Sequence, residues 1–209
     1  MSNICTINNR ACAKGSTLLK LKDYLNPYDL PDRTIRIQSL RALSTDDFTI
    51  PGEYANMTLV DSVQHIYDFT RTSWMEFFAR GFVFNHPESW LVRVIGANAS
   101  SVGNMSRMFM ECTSLQDIAI FDTSSLKYMN QMFQGCTNLS YIPLFNVNKV
   151  EEASWAFKNC INVEQGILSM YNALSTNGHI QYYNEAFYSC GSNTVQGAAE
   201  LAQIPSDWK

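Results

Sequence analysis

Apolar residues recur at a fixed interval through the second half of the chain. Three segments share a pattern in which a phenylalanine is followed by a cysteine at the third position and by Leu or Val at the sixth. The phenylalanines are Phe109, Phe133 and Phe157, so the period is 24 residues (133 − 109 = 24 and 157 − 133 = 24). A fixed period of this length is typical of a solenoid, in which each unit buries its apolar face against its neighbours. The pattern therefore predicts stacked repeats with one continuous core.

Within each unit, the spacing predicts a helix, a turn and a short strand. Apolar residues between Leu126 and Cys136 follow steps of three, three, one and three, which would place them on one stripe of a helix. The polar run at 122–125 supplies N-cap candidates just before that helix. A strand is expected after the cysteine, with alternate side chains facing the core. The expected inward residues are Leu115, Ile118 and Ile120 in one unit and Leu139, Ile142 and Leu144 in the next.

Phenylalanines and cysteines are predicted to line the inside of the array as a core ladder. A fourth copy of the pattern ends at Cys190, which is 30 residues after Cys160, and the six extra residues accommodate a helix predicted at 166–174. Zinc sites need closely paired cysteines, and the sequence has no such pair. We therefore interpret these thiols as small buried side chains. The expected core ladder is Phe109, Cys112, Phe133, Cys136, Phe157, Cys160, Phe187 and Cys190.

The repeat unit resembles the BspA-like class of leucine-rich repeats found in bacterial surface proteins. The hallmark of that class is Met-Phe-x-x-Cys-x-x-Leu followed by Phe-Asp-Thr-Ser, which this sequence matches at Met108-Phe109, Cys112, Leu115 and 121–124. The match weakens in the third unit, at 155–157. The start NICTINNRA and the tail GAAELAQIPSDWK are also similar to short proteins of this class carried by gut bacteria and their phages. The resemblance implies an α/β fold, a leucine-rich-repeat solenoid of about four ~24-residue helix-turn-strand units.

Residues 1–70 are predicted to form a small β-rich N-terminal module for docking or capping, and residues 71–209 the solenoid with a C-terminal helical cap. Strands are expected at 17–21, 34–38, 63–69 and 90–95, and a short helix at 74–80. Counting back 24 residues from Ile118 gives Val94, so 74–95 is interpreted as a diverged first repeat that caps the stack. At the other end, a helix is predicted at 198–204, with Trp208 folding back onto it.

The first residues predict a β-hairpin. Asn8-Asn9 suits a two-residue turn, because asparagine tolerates a positive φ. That turn would pair Ile7 with Arg10 and bring Cys5 opposite Cys12. The separation at such a pair permits a disulfide, although the side-chain directions favour two neighbouring free thiols.

Composition and charge exclude several functional classes. The net charge of −4 gives no reason to expect nucleic acid as a partner. No run of apolar residues approaches the ~18 that a transmembrane helix needs, so no membrane insertion is expected. A secretory signal is not visible at the start of the chain. We therefore expect either a leader that this chain lacks or an exterior location reached without one, as for a virion protein released by lysis.

The sequence contains no constellation typical of an enzyme. His65, His86 and His179 are scattered and have no nucleophile and carboxylate at a recognisable spacing. Neither glycine-rich phosphate loop occurs. The expectation is a non-enzymatic protein without a cofactor and without a metal.

The predicted function is binding through the exposed strand face of the repeats. Residues alternating with the inward positions would face outward and form a candidate binding surface; these are Asp117, Ala119, Tyr141 and Pro143. Tyrosine is a frequent anchor of such contacts, and an ordinary solvated face is an equal alternative. We expect a binding or structural component of a phage or prophage virion, displayed at its surface. The alternative is an adhesin or protein-interaction module at the bacterial cell surface.

The expected partners follow from this organisation. Other structural proteins would bind the N-terminal module, and a protein or glycan ligand would bind the repeat face. Self-association into a homo-oligomer is left open by the sequence.

Overall fold

The computed structural model describes residues 6–7, 10–11, 30–31, 33–43, 57–70 and 90–209. The strands are β1 Thr6–Ile7, β2 Arg10–Ala11, β3 Thr34–Ser39, β4 Met57–Asp61, β5 Ile66–Thr70, β6 Leu91–Asn98 and β7 Asp117–Ile118. The helices are α1 Ile167–Ser175, α2 Val195–Ala202 and a final 3₁₀ turn at Ser206–Trp208. The described chain is thus mixed α/β, with an N-terminal sheet followed by a repeat region.

The sheet has five strands in the order β4-β5-β3-β6-β7. Strands β4, β5, β3 and β6 pair antiparallel, and β3 lies at the centre with Ile35 and Ile37 fully buried. Across β3 and β5, Arg36 and Asp68 form a two-pronged ion pair, in which Nε and Nη2 each lie 2.7 Å from a carboxylate oxygen. The alternation predicted for 34–38 is therefore a strand, whereas residues 62–65 form a turn and β5 begins only at Ile66.

Strand β6 joins the sheet to the repeats. It pairs antiparallel with β3 on one side and parallel with β7 on the other, where Val94 lies opposite Ile118. The partner of Ile118 is thus the residue 24 positions earlier, as the repeat interval predicted. The sheet contains strands from both sides of the predicted boundary at residue 70. The predicted helix at 74–80 and the strand at 17–21 lie outside the described residues.

The short hairpin near the start of the chain has the predicted register. Strands β1 and β2 pair Ile7 with Arg10 and Thr6 with Ala11. Cys5 and Cys12 lie outside the described residues, so their pairing stays a prediction.

The helices predicted inside the repeats are absent from residues 99–166, which are all described. The segment at 105–112 consists of consecutive turns instead. Its backbone is left-handed at Arg107 (φ 62°) and Glu111 (φ 59°). The equivalent positions in later copies are left-handed as well; they are Gln131, Gly135, Trp155, Asn159, Glu185 and Ser189. A left-handed residue at every fourth position prevents a right-handed helix.

Backbone hydrogen bonds explain how these turns replace a helix. In the first copy, the N–H groups of Met105, Arg107, Phe109 and Glu111 donate to carbonyl oxygens of the second copy over 2.6–2.8 Å. The N–H groups of Met108, Met110 and Cys112 donate instead to the carbonyl three residues earlier, as Cys112 does to Phe109. The same alternation recurs in the next two copies. We call the bonds between copies the inter-repeat ladder; together with the turns it satisfies the polar backbone groups that surround the core.

Stacked aromatic rings fill the interior of the repeat region. The rings of Phe109, Phe133, Phe157 and Phe187 lie 5.2 to 5.5 Å apart between centroids, with interplanar angles of 11° to 13°. All eight residues expected in the core ladder are fully buried. One cluster of buried residues continues from Ile35 in the sheet to Trp208 at the end of the chain.

The predicted strand phase is correct only as far as Ile118 and Ile142. Leu115, Ile118, Leu139 and Ile142 are buried, but Ile120 and Leu144 are about half exposed, at 54% and 51%. Phe121 and Phe145 occupy the interior in their place, with ring centroids 5.3 Å apart. The strand alternation is therefore wrong beyond Ile118, because β7 ends there and the chain no longer turns every second side chain inward.

The C-terminal segment closes the repeat region. Helix α1 agrees with the prediction within one residue at each end, and α2 begins after Thr194, whose hydroxyl accepts a hydrogen bond from the Gly197 N–H at 3.0 Å. Trp208 folds back as predicted, but its ring stacks on Tyr183 of the fourth copy with centroids 4.1 Å apart. The Trp208 carbonyl accepts the N–H of Phe187 at 2.8 Å, where in earlier copies the acceptor belongs to the following repeat.

Candidate functional site

The four residues predicted to form a binding surface differ in exposure, and they are not all at the surface. Asp117 is half-buried and forms an ion pair with Arg93 at 3.1 Å. Ala119 and Tyr141 are also half-buried, and Tyr141 forms a parallel bridge with Gln165. Pro143 is buried, so the expectation that it faces outward is wrong. The chain turns there, since Phe145 donates its N–H to the Pro143 carbonyl at 3.0 Å, and the strand alternation is lost.

A larger concave site lies elsewhere on the repeats. It has a volume of about 490 Å³, and we call it the aromatic–polar cavity. Its lining comes from four successive copies and is Ser106, Arg107, Asn130, Gln131, Glu152, Ser154, Trp155 and Tyr182.

The inter-repeat ladder brings these side chains together. Tyr128, Glu152 and Tyr182 lie side by side through parallel bridges from one copy to the next. Two residues further along each copy come Asn130 and Ser154, and the next position is a left-handed residue, such as Gln131 or Trp155. Equivalent positions therefore form columns across the array, and the cavity is lined by three of these columns.

Hydrogen bonds fix the polar side chains of the cavity. Arg107 donates from Nε to Gln131 Oε1 at 2.7 Å, and Gln131 donates in turn to Gln134 at 2.8 Å. Asn130 donates from Nδ2 to Glu152 Oε2. The Asn130 Oδ1 atom is enclosed and accepts no hydrogen bond. Exchanging the two amide atoms would place an oxygen against the carboxylate, so the observed orientation is the favourable one.

A charged cluster lies beside the cavity and holds Trp155. The indole Nε1 donates to Glu185 Oε2 at 3.3 Å, and Lys158 Nζ donates to the same oxygen at 2.6 Å. The hydrogen bond from Lys158 lowers the pKa of the Glu185 carboxyl. Lys158 also lies over the ring of Tyr188, with Nζ 4.9 Å from the centroid. Glu185 is therefore ionised at neutral pH and restrains the indole ring.

A second concavity of about 360 Å³ is predominantly apolar. The half-exposed Ile120 and Leu144 lie on its edge, together with Ala173 from α1. Among the described residues, its charged lining is Asp122 alone, whereas the aromatic–polar cavity has both a cation, Arg107, and an anion, Glu152. We therefore take the aromatic–polar cavity as the candidate binding site.

The four cysteines of the repeats, Cys112, Cys136, Cys160 and Cys190, are enclosed in the core. The thiols of Cys136 and Cys160 donate to the carbonyl oxygens of Phe109 and Phe133, each at 3.0 Å. Burial raises the pKa of the Cys136 and Cys190 thiols well above the ordinary value. Across the part of the chain that the structure describes, no group of three or more His, Cys, Asp or Glu side chains is placed to hold a metal ion. A helix of the length and hydropathy required to span a bilayer is likewise missing from those residues.

Sequence reasoning missed the aromatic–polar cavity because it expected the binding face on a strand. One signal was present. Trp155 occupies the position equivalent to Arg107 and Gln131, two polar residues, and therefore marks an outward column with an unusual aromatic side chain.

Comparison with known families supports the repeat interpretation in its coarse form. Residues 82–171 match the family described as "Mycoplasma protein of unknown function, DUF285". This is a leucine-rich-repeat-like family. The match covers the first three copies of the phenylalanine–cysteine pattern and ends within α1. Searches of curated proteins and of solved structures find no match.

Proposed function

We propose that the chain is a non-enzymatic binding protein whose repeats form a leucine-rich-repeat solenoid of the BspA-like class. Its place would be an exterior surface, first of all that of a phage or prophage particle. In this arrangement the N-terminal sheet contacts other structural proteins and the repeat region presents the ligand-binding face.

The contrast between inward and outward columns carries this proposal. Phenylalanine occupies the inner position in all four copies. The outward left-handed position holds Arg107, Gln131, Trp155 and Glu185, which differ in charge and shape although their backbone is the same. A constant interior supporting varied exterior chemistry is the arrangement of a scaffold that presents a recognition surface.

The hydrogen-bonded backbone of the columns suits ligand recognition as well as core packing. Each outward residue is flanked by backbone bonds of the inter-repeat ladder, for example Arg107 to Asn130 at 2.8 Å and Gln131 to Ser154 at 2.9 Å. Side chains held on fixed backbone lose less conformational entropy on binding. The concave site on these columns is the natural place for a ligand.

The BspA-like resemblance favours an alternative location, the bacterial cell surface. Both locations use the same binding architecture. The two locations differ in where the protein would be found in a bacterial culture, in the released particles or in the cell envelopes.

Localisation distinguishes the two. Particles and cell envelopes from the bacterium that carries the gene would be separated on a density gradient and labelled with an antibody raised against the purified chain. The proposal expects gold label on particles in negative-stain images, and its loss from particles of a strain in which the gene is deleted. Label on the envelope fraction alone would favour the cell-surface alternative, and label in the cytosol alone would contradict both.

A further inference from the structure

We propose that the aromatic–polar cavity binds a neutral oligosaccharide. This inference rests on the proposed binding function and names the class of ligand. The juxtaposition that carries it is two exposed aromatic rings, Trp155 and Tyr182, that line one cavity together with amides, hydroxyls, one cation and one anion among the described residues.

The two aromatic rings are exposed where the fold does not require them. Trp155 is 36% exposed and Tyr182 is 59% exposed, and both line the cavity. The apolar face of an aromatic ring packs against the C–H face of a pyranose, while the polar edge stays available for hydrogen bonds. The Trp155 ring is already oriented through its Nε1 bond to Glu185, so binding would cost little side-chain entropy.

The backbone gives no reason for a tryptophan at position 155. Its φ is +58°, in the left-handed region that glycine and asparagine adopt most readily. A larger residue there costs roughly 1–2 kcal/mol. The equivalent residues Arg107, Gln131 and Glu185 show that the position accepts polar side chains. Neither the backbone nor the core requires an aromatic residue at position 155. We therefore attribute the tryptophan to contact between its exposed ring and a ligand.

The charges of the lining favour a neutral ligand. Among the described lining residues, Arg107 is the one cation and Glu152 the one anion, and the other polar groups are amides, hydroxyls and the indole N–H. Among the neighbouring cations, Lys127 is paired with Glu151 at 2.9 Å and Lys158 with Glu185 at 2.6 Å. Nucleic acids and polyanions bind through several uncompensated cations. A balanced set of donors and acceptors instead matches the many hydroxyls of a sugar.

The dimensions of the cavity fit more than one sugar ring. Its volume of about 490 Å³ falls within the range of small-ligand sites, about 300–1,000 Å³. Its lining runs from Ser106 in the first copy to Tyr182 in the fourth, and the stacked rings inside these copies lie 5.2 to 5.5 Å apart. A ligand following the array would therefore extend beyond a single pyranose.

Binding to an immobilised panel tests the assignment with the full chain. The panel holds neutral hexose and N-acetylhexosamine oligosaccharides, their sialylated and sulfated counterparts, and unglycosylated peptides. We expect saturable binding to at least one neutral oligosaccharide. Trp155→Ala and Tyr182→Ala should each weaken that binding about tenfold or more, as the loss of an aromatic anchor does. Trp155→Phe should retain part of the affinity, because a flat ring remains.

Tyr141→Ala is the matched control. Tyr141 is a half-buried tyrosine of the second copy, and it neither lines the cavity nor contacts the cluster that holds Trp155. Its replacement should change the affinity less than twofold. Thermal unfolding of every variant would verify that the fold is retained.

Three results would overturn the saccharide assignment: binding only to acidic glycans or to peptides, no binding to the panel, or equal losses for Tyr182→Ala and Tyr141→Ala. The particle-labelling experiment is independent of all three. If the particles are labelled but the panel shows no binding, the proposed binding function at the particle surface still stands, and only the ligand class is wrong.

Discussion

The thiol of Cys160 donates a hydrogen bond of 3.0 Å to the carbonyl oxygen of Phe133, which belongs to the preceding copy. The same carbonyl accepts the backbone N–H of Cys136 at 3.0 Å. One oxygen thus closes a turn within its own copy and ties that copy to the next. Cysteine suits this position because its side chain is small, apolar and still able to donate a weak hydrogen bond.

Thiol labelling should reflect this enclosure. Cys112, Cys136, Cys160 and Cys190 are fully buried, and burial raises the pKa of the Cys136 and Cys190 thiols, so the reactive thiolate is suppressed. With a chromogenic disulfide reagent at neutral pH, we expect at most two of the six cysteines to react in the native protein, and these would be Cys5 and Cys12. Under reducing pretreatment and denaturant all six should react. Rapid labelling of four or more thiols in the native state would contradict the buried column.

Removal of the central ring should be costly. Phe133 is fully buried between Phe109 and Phe157, at 5.2 and 5.5 Å. Phe133→Ala should lower the free energy of unfolding by about 3–5 kcal/mol, because it deletes buried apolar surface and leaves a cavity. Gln134→Ala, at the half-buried neighbouring position, should change it by about 0.5 kcal/mol or less. Denaturant titration measures both, and equal midpoints would show that the inward column is assigned wrongly.

The corrected strand phase gives a second stability test. Ile142 is buried and Leu144 is 51% exposed, although the sequence alternation predicted both as inward. Ile142→Ala should cost about 2–5 kcal/mol. Leu144→Ala should cost about 0.5 kcal/mol or less. A large loss of stability in Leu144→Ala would mean that Leu144 is buried, as the strand alternation predicted, and would contradict the structure.

Gly166 should tolerate no side chain. A Cβ at this position would lie 2.2 Å from the carbonyl oxygen of Ile142, and the φ of +97° adds left-handed strain. Gly166→Ala should therefore lower the free energy of unfolding by about 3 kcal/mol or more. Gly178 is the matched control, since its φ is +73° but a Cβ would meet nothing within 4 Å. Gly178→Ala should cost only about 1–2 kcal/mol, and equal losses would contradict the contact with Ile142.

The pair formed by Glu185 and Lys158 should make stability depend on acidity. The Lys158 hydrogen bond lowers the pKa of Glu185 below its ordinary value of 4.5. A carboxyl with a lowered folded-state pKa adds stability above its unfolded pKa, and that contribution is lost as the pH falls through the folded pKa. The Tm of Glu185→Gln should therefore lie below that of the unmodified protein at pH 7, and the difference should shrink below pH 4.5. Lys158→Met should show the same trend, whereas a constant difference down to strongly acidic pH would contradict it.

The repeat interval was predictable because it depends on burial alone. Phenylalanines and cysteines at fixed phases have to share a core whatever the local backbone, and the pairing of Val94 with Ile118 follows the same interval. The N-terminal strand β3 was predictable for a related reason, since alternation over 34–38 describes a half-buried strand. Hydrophobic spacing thus indicated which residues are inside.

Spacing did not determine the backbone. Steps of three and one between apolar residues fit a helix, but they fit a series of tight turns equally well. The deciding feature is the left-handed conformation at positions such as Arg107 and Glu111. These residues have no special preference for it, so it arises from the hydrogen bonds between copies rather than from local sequence. Gly135 and Asn159 alone carried a local signal, because glycine and asparagine favour a positive φ.

The candidate site was unpredictable for the same reason. Tyr182 and Trp155 are 27 positions apart, and only the offset introduced by α1 before the fourth copy brings them to one cavity. A regular 24-residue count from Glu152, the neighbour of Tyr182 in its column, gives Thr176, which does not line the cavity. The irregular interval therefore determines the composition of the surface.

In the first three copies, the backbone N–H of the phenylalanine donates to a carbonyl of the next copy. The N–H of Phe187, in the fourth copy, donates to the carbonyl of Trp208 instead. An uncovered end of such a stack is a template onto which another molecule can pair. The chain turns residues 206–208 across this end, so the Trp208 carbonyl occupies the acceptor position beside Phe187. A chain shortened by these last residues would expose bare aromatic rings and an unsatisfied N–H, and so would be prone to end-to-end association into fibres.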